Sequence, residues 1–302
     1  MGIAALRRRI PAFAAGLASL AIALGAAAIP AEAAPQARDV DYVALGDSYT
    51  AGIGAGPYDA TETCIQTSGG YVDMVGKTGR VDLLVNAACS GAELAGGPTS
   101  VAAQLSDPKT LAALSDAELV SITAGANDLG FAQIIGICAT LSPTDCENAV
   151  RAATSEASLH ALTLALAGTY KAIQAAAPDA KIVVLGYPLL FDTTDPAVTL
   201  PIPLASQKLI NFGTIAINGA IEDAVSFANN KYGTNAVYVD VTNRFAGHEV
   251  NSGDPWIFFA AYVNATGTVQ LDPRSFHPNE DGHRAYASAL LASVKLGQLV
   301  RS

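Results

Sequence analysis

The 302 residues carry 17 lysines and arginines against 27 aspartates and glutamates, a formal net charge of −10. An acidic surface of this kind argues against nucleic acid as a partner and favours solubility outside the cell. The length lies within the range of a single α/β domain with a large buried core.

The chain opens with a basic patch, Arg7–Arg9, an apolar stretch from Ile10 to Ile29, and Ala31-Glu32-Ala33, which places small residues where a signal peptidase reads. Together these predict a secretory leader over residues 1–33, removed to leave a single domain over 34–302. The rival reading is a membrane anchor, since the stretch approaches spanning length. Pro11, Gly16, Gly25 and the cleavage site favour removal. No second stretch is long and apolar enough to span, so no stable membrane insertion is expected of the mature chain.

The first predicted strand, Val40–Leu45, ends abruptly in Gly46-Asp47-Ser48. A short helix is expected over Gly70–Lys77, then a second strand, Val81–Ala87, leading into Ser90-Gly91. A third strand, Glu118–Thr123, leads into Gly125-Ala126-Asn127-Asp128. A long helix follows over Cys146–Ala177, with a break expected at Gly168 and an end set by Pro178. Strand Lys181–Leu185 comes next, then the loop Tyr187–Pro203, the helix Leu204–Lys231 closed by Gly233, and strand Ala236–Val241. The loop Thr242–Phe276 holds the only tryptophan, in "DPWIFFAAYV". Long loops in compact domains are often functional, although Trp256–Phe259 reads more readily as loop packing than as a pocket. The last helix runs over Glu280–Leu299.

Five runs rich in Val, Leu and Ile, alternating with helices, predict a parallel sheet buried on both faces, a three-layer α/β/α sandwich. Ligands of such sheets bind beyond the carboxyl ends of the strands, where the first three strand-end loops would converge.

Those loops hold what acyl transfer needs. Gly46 permits a sharp turn that exposes the Ser48 hydroxyl. The backbone N–H groups of Ser48 and Gly91 and the Asn127 side-chain amide could donate to an oxyanion. A serine also needs a base. His277, in "SFHPNEDGH", precedes the last helix, and Pro278 holds its backbone extended while able to begin that helix. His283 lies inside the helical run and reads as a packing or hydrogen-bonding residue, and His160 and His248 have no motif near them. Asp47 and Asp128 read as loop braces.

Four cysteines in an exported chain suggest disulfides, and three pairings are open. Sequence order favours Cys64–Cys89 and Cys138–Cys146. With no C-x-x-C and no histidine near these cysteines, a metal site is not expected. Asn264-Ala265-Thr266 matches a glycosylation sequon, a frequent chance match.

In their order and spacing, "ALGDSYTAG", "ACSGA", "GANDLGF" and "FHPNEDGH" resemble the SGNH (GDSL) hydrolase superfamily, and most closely its secreted actinobacterial lipases and esterases. The resemblance spans nearly the whole mature chain. It implies a flavodoxin-like sheet of order 2-1-3-4-5 and no cofactor. It further implies Ser48 as nucleophile, Gly91 and Asn127 with Ser48 in the oxyanion hole, and His277 as base. The expected enzyme is a secreted, monomeric esterase or lipase acting on a small-molecule or lipid ester. A carbohydrate acetylesterase and a non-catalytic binding protein of the same fold are the alternatives. Two departures stand out. Tyr49 replaces the leucine of the family name, a minor change. Arg274 stands where the family has an aspartate three residues before the histidine. The partner of His277 is then Asp272 or a backbone carbonyl of Arg274 or Ser275. The carbonyl is favoured because Pro273 restricts the chain at Asp272, and because some members of this secreted group use one.

Overall fold

The computed structural model describes residues 39–58, 62–263 and 269–299. The expected leader over 1–33 and the sequon at Asn264 lie outside them. Five strands, β1 (Val40–Gly46), β2 (Val81–Asn86), β3 (Leu119–Thr123), β4 (Lys181–Leu185) and β5 (Ala236–Val239), pair in parallel in the order β2-β1-β3-β4-β5. Every residue of β3 and all but Asp41 of β1 are buried, as the continuous apolar runs require of central strands covered by helices on both faces. In β2, at the edge, only Val81 is fully buried. Since all five strands run the same way, their carboxyl ends meet along one edge.

The helices are α1 (Ser48–Ala51), α2 (Tyr71–Gly76), α3 (Val101–Ser106), α4 (Pro108–Asp116), α5 (Phe131–Thr140), α6 (Pro143–Ala153), α7 (Glu156–Ala176), α8 (Leu204–Tyr232), α9 (Thr242–Phe245), α10 (Glu280–Ser293) and α11 (Leu296–Leu299). Their limits follow local chemistry. Asp107 caps α4 with Pro108 behind it, Ser142 and Asp145 form a capping box on α6, and Gly233 closes α8 in the left-handed conformation. A short antiparallel ladder, β6 (Ala261–Val263) with β7 (Val269–Leu271), lies within the long loop before His277. No helix among the described residues is long and apolar enough to cross a membrane.

Three expectations about helices need correction. The long helix breaks at Thr154–Ser155 instead of Gly168, because the Ser155 side chain accepts the Ser158 N–H and starts a new helix. Gly168 remains inside α7 with open space where a Cβ would be. The last helix stops at Ser293, where Val294 turns extended. Helices α1, α3, α4, α5 and α9 have no counterpart in the sequence reading, the last lying in what reads as a loop.

Both disulfides form as sequence order suggests, Cys64–Cys89 and Cys138–Cys146. The Cys89 N–H also donates to the Gly46 carbonyl, so the first bridge ties the segment after α1 to the loop beyond β2. Replacing Cys64 and Cys89 together by serine is expected to cost roughly 2–4 kcal/mol of stability and to lower activity, because that loop carries Gly91. Denaturant titration and ester assays of the double variant check both.

Candidate active site

Gly46 stands at φ +127°, and a Cβ there would lie 2.2 Å from the Thr123 carbonyl oxygen, so only glycine permits the turn out of β1. Asp47 follows, fully buried. Its Oδ1 accepts the Tyr49 N–H at 3.0 Å and the Thr123 hydroxyl at 2.7 Å, and its Oδ2 accepts the Tyr187 hydroxyl at 2.5 Å. One carboxyl thus joins the ends of β1, β3 and β4. Burial pushes its pKa up to about 6, against the pull of those donors. Asp47 braces the loops, as the sequence suggested.

Ser48 opens α1, and its Oγ lies 2.7 Å from His277 Nε2. His277 arrives from a tight turn in which the Ser275 N–H donates to the Asp272 carbonyl. Beside it, Phe258 N–H donates to the His277 carbonyl and Phe276 N–H to the Phe258 carbonyl. Phe276 has φ +66°, a conformation that costs a bulky residue roughly 1–3 kcal/mol.

His277 Nδ1 faces two carbonyl oxygens, Arg274 at 3.3 Å and Ser275 at 3.2 Å. Carbonyls only accept, so Nδ1 carries the proton and Nε2 is free to accept from the serine hydroxyl. Burial drives the imidazole pKa down to about 4, opposed by these two carbonyls. The Asp272 carboxylate turns to Arg274 instead, accepting its backbone N–H at 2.9 Å, its Nε at 2.9 Å and its Nη2 at 2.7 Å. Those donors hold the Asp272 carboxyl below its ordinary pKa.

Asn127 sits in a short turn, Asn127–Leu129, after β3. Its amide donates to the Ala92 carbonyl at 2.9 Å, and its second amide hydrogen has no acceptor among the described residues. Asp128 accepts the Leu94 N–H at 3.0 Å, and burial raises its pKa. Both side chains bind the loop after β2 to the loop after β3. Gly91 lies in that first loop at φ +77°, exposed. Neither its N–H nor that of Ser48 has an acceptor among the described residues.

Ser48, Asn127 and His277 line one cavity of about 230 Å³, whereas Gly91 does not belong to its wall. The wall is mainly apolar, with Phe131 and Ile135 from α5, Leu190 from the loop after β4, Ile217 beside Thr214 from α8, and Phe276. Sequence reading missed these residues. The i, i+4 spacing of Phe131 and Ile135 and the i, i+3 spacing of Thr214 and Ile217 are their local signals. Trp256–Phe259 lie outside the wall. Trp256 stacks on His248 with ring centroids 3.6 Å apart, and the Phe258 backbone brackets His277. The remaining histidines are not at the site. His160 is exposed, and buried His283 accepts the Tyr71 N–H at Nδ1 and meets the Ile53 carbonyl at Nε2.

Known proteins resemble the chain over most of its length. Residues 44–285 match the GDSL-like Lipase/Acylhydrolase family. A lipase of Streptomyces rimosus is 34% identical over 282 residues, 92% of this chain and 94% of that protein. Among solved structures, phospholipase A1 of Streptomyces albidoflavus superposes with a TM-score of 0.69 at 30% identity, covering 85% of this chain and 100% of its own. The extracellular lipase of Streptomyces rimosus does so with a TM-score of 0.69 at 31% identity, covering 84% and 100%.

Proposed function

Because this chain belongs to the GDSL-like lipase/acylhydrolase family and is a carboxylic ester hydrolase, we propose that it works through an acyl-enzyme on Ser48 with His277 as base. The observation that carries the reading is the 2.7 Å approach of Ser48 Oγ to an unprotonated His277 Nε2. Ser48 attacks the ester carbonyl as Nε2 takes its proton. The Arg274 and Ser275 carbonyls hold the Nδ1–H of the resulting imidazolium. Negative charge on the tetrahedral oxygen meets the Ser48 and Gly91 N–H groups and the free hydrogen of the Asn127 amide. The alcohol departs with the proton from Nε2, and water then releases the acid by the same steps. Asn127→Ala is expected to lower kcat by about 10²–10³-fold with little change in KM, as measured by steady-state kinetics.

His277 must be neutral to act. With its pKa near 4, kcat/KM should stay level down to about pH 5 instead of falling near pH 6.5. Stability follows the buried titrating groups. The unfolded chain takes protons on His277 and His283 near pH 6.5 and the folded chain only near 4, which lowers stability as pH falls through that window, while Asp47, raised to about 6 in the fold, opposes them and leaves a smaller net decline. A pH–rate profile and parallel thermal melts read both effects.

The acyl group belongs in the apolar cavity. A cavity of about 230 Å³ walled by Phe131, Ile135, Leu190 and Ile217 offers apolar space beyond what acetyl fills, so longer acyl chains should outrun acetyl. A series of chromogenic esters from acetyl to palmitoyl, with phospholipid and acetylated xylan alongside, tests this. Fastest turnover of acetylated xylan would make the enzyme a carbohydrate acetylesterase, and no turnover of any ester would leave a binding protein.

We further propose export, with cleavage near Ala34. Two disulfides and the likeness to an extracellular lipase support it. N-terminal sequencing of protein from culture medium decides it.

A further inference from the structure

We propose that Tyr49 is a positioning residue for His277, its hydroxyl gripping the loop that aims the imidazole at Ser48. The inference rests on the reading of Ser48 as nucleophile and His277 as base. The Tyr49 hydroxyl donates to the Phe276 carbonyl at 2.7 Å, across 227 residues of sequence. A carbonyl can only accept, and burial raises the phenol pKa, so this donor persists at every working pH.

The bond falls at a sensitive point. Among the described residues, Phe276 is the one non-glycine with positive φ. Its φ relates two peptide planes. The oxygen of the preceding plane, Ser275 O, meets His277 Nδ1 at 3.2 Å. The oxygen of the following plane, Phe276 O, is the one Tyr49 holds. A bulky residue leaves this conformation unless its surroundings hold it there. The Phe276 ring is packed by Phe191 and Phe259, and its N–H by the Phe258 carbonyl. The Tyr49 hydroxyl supplies the tie to the nucleophile's side of the site.

Tyr49 is itself fixed. Its ring meets Tyr187 edge-on at 5.2 Å and Tyr286 at 5.9 Å, and lies 5.3 Å from the His277 imidazole. Its N–H is held by Asp47, and it directly follows Ser48. Nucleophile and base are thus referred to one rigid residue. Among the described residues Nδ1 meets backbone carbonyls and no carboxylate, so the direction of the imidazole depends on those carbonyls and on whatever holds that backbone.

Tyr49→Phe removes the hydroxyl and keeps the ring. For a soluble chromogenic ester, kcat should fall about 10- to 100-fold with KM within twofold, the scale expected when a catalytic group shifts by a fraction of an ångström to one ångström. The downfield proton resonance of His277 Nδ1–H, identified by its absence in His277→Ala, should move upfield or disappear by exchange. Tyr49→Leu should show the same loss of kcat with a lower Tm, and serves as the second variant should Tyr49→Phe fail to fold. Retention of kcat within twofold in either folded variant overturns the proposal, whatever the Tm. So does a loss that lies in KM with the resonance unmoved, which is what a residue that only packs would give. Full activity of Tyr49→Phe beside an inactive His277→Ala removes this inference alone, whereas an active His277→Ala removes the catalytic reading beneath it.

Discussion

Ser48→Ala is expected to lower kcat for a soluble ester by about 10⁶-fold while the protein stays folded. Ser48 is 7% exposed, and among the described residues its hydroxyl has one side-chain partner, His277 Nε2. Alanine removes only Oγ. The turn into α1 depends on Gly46 and on the Asp47 carboxylate, neither of which touches that atom. The lost hydrogen bond should change stability by about 1 kcal/mol. A residual rate above that of water should survive from the oxyanion donors, roughly 10³–10⁴-fold. Circular dichroism and a thermal melt establish the fold, and a stopped assay at high enzyme concentration reads the rate. Turnover within a factor of ten of wild type would remove Ser48 from the mechanism.

The second large effect separates the base from its neighbour. His277→Ala should cost about as much as loss of the nucleophile, since the two act as a unit. Asp272→Asn should cost no more than about tenfold. The Asp272 carboxylate is spent on Arg274, with three hydrogen bonds to backbone and guanidinium, while His277 Nδ1 has the Arg274 and Ser275 carbonyls. Asparagine keeps an acceptor for the Arg274 donors, so the turn survives with a weaker tie. A neutral acceptor stabilises an imidazolium less than a carboxylate does, which places more of the catalysis on the oxyanion donors. Were Asp272→Asn to cost roughly 10⁴-fold, the usual penalty for losing a triad acid, Asp272 would be the orienting acid and the dyad would be wrong.

The five strands and the meeting of three motif loops were legible in the sequence because they rest on local signals. Apolar runs such as Val40–Leu45 and Glu118–Thr123 specify strands buried on both faces. Alternation with helices specifies that they run parallel. Parallel strands put Ser48, Gly91 and Asn127 at one edge whatever the helices do. Pro278 and the helix after it carried His277 to the same edge. Pairing of the cysteines in sequence order was readable for a similar reason, since each bridge joins segments close in the chain.

Other features depended on contacts that no local pattern records. A side-chain cap at Ser155, invisible to composition, moved the helix break away from Gly168. The apolar cavity beside Ser48 is assembled from α5, the segment Tyr187–Leu190, α8 and Phe276, pieces far apart in sequence whose apolar faces read individually as ordinary core. Tyr49 passed for a minor change from leucine until the fold laid its hydroxyl on the Phe276 carbonyl. Which group faces His277 Nδ1 was settled by the φ of Phe276 and by the hold of Arg274 on Asp272, a competition among acceptors within a few ångströms. Sequence determines which groups reach an edge, because strand direction and burial are averages over many residues. Tertiary structure decides which of them bond, because a hydrogen bond is won or lost over less than an ångström.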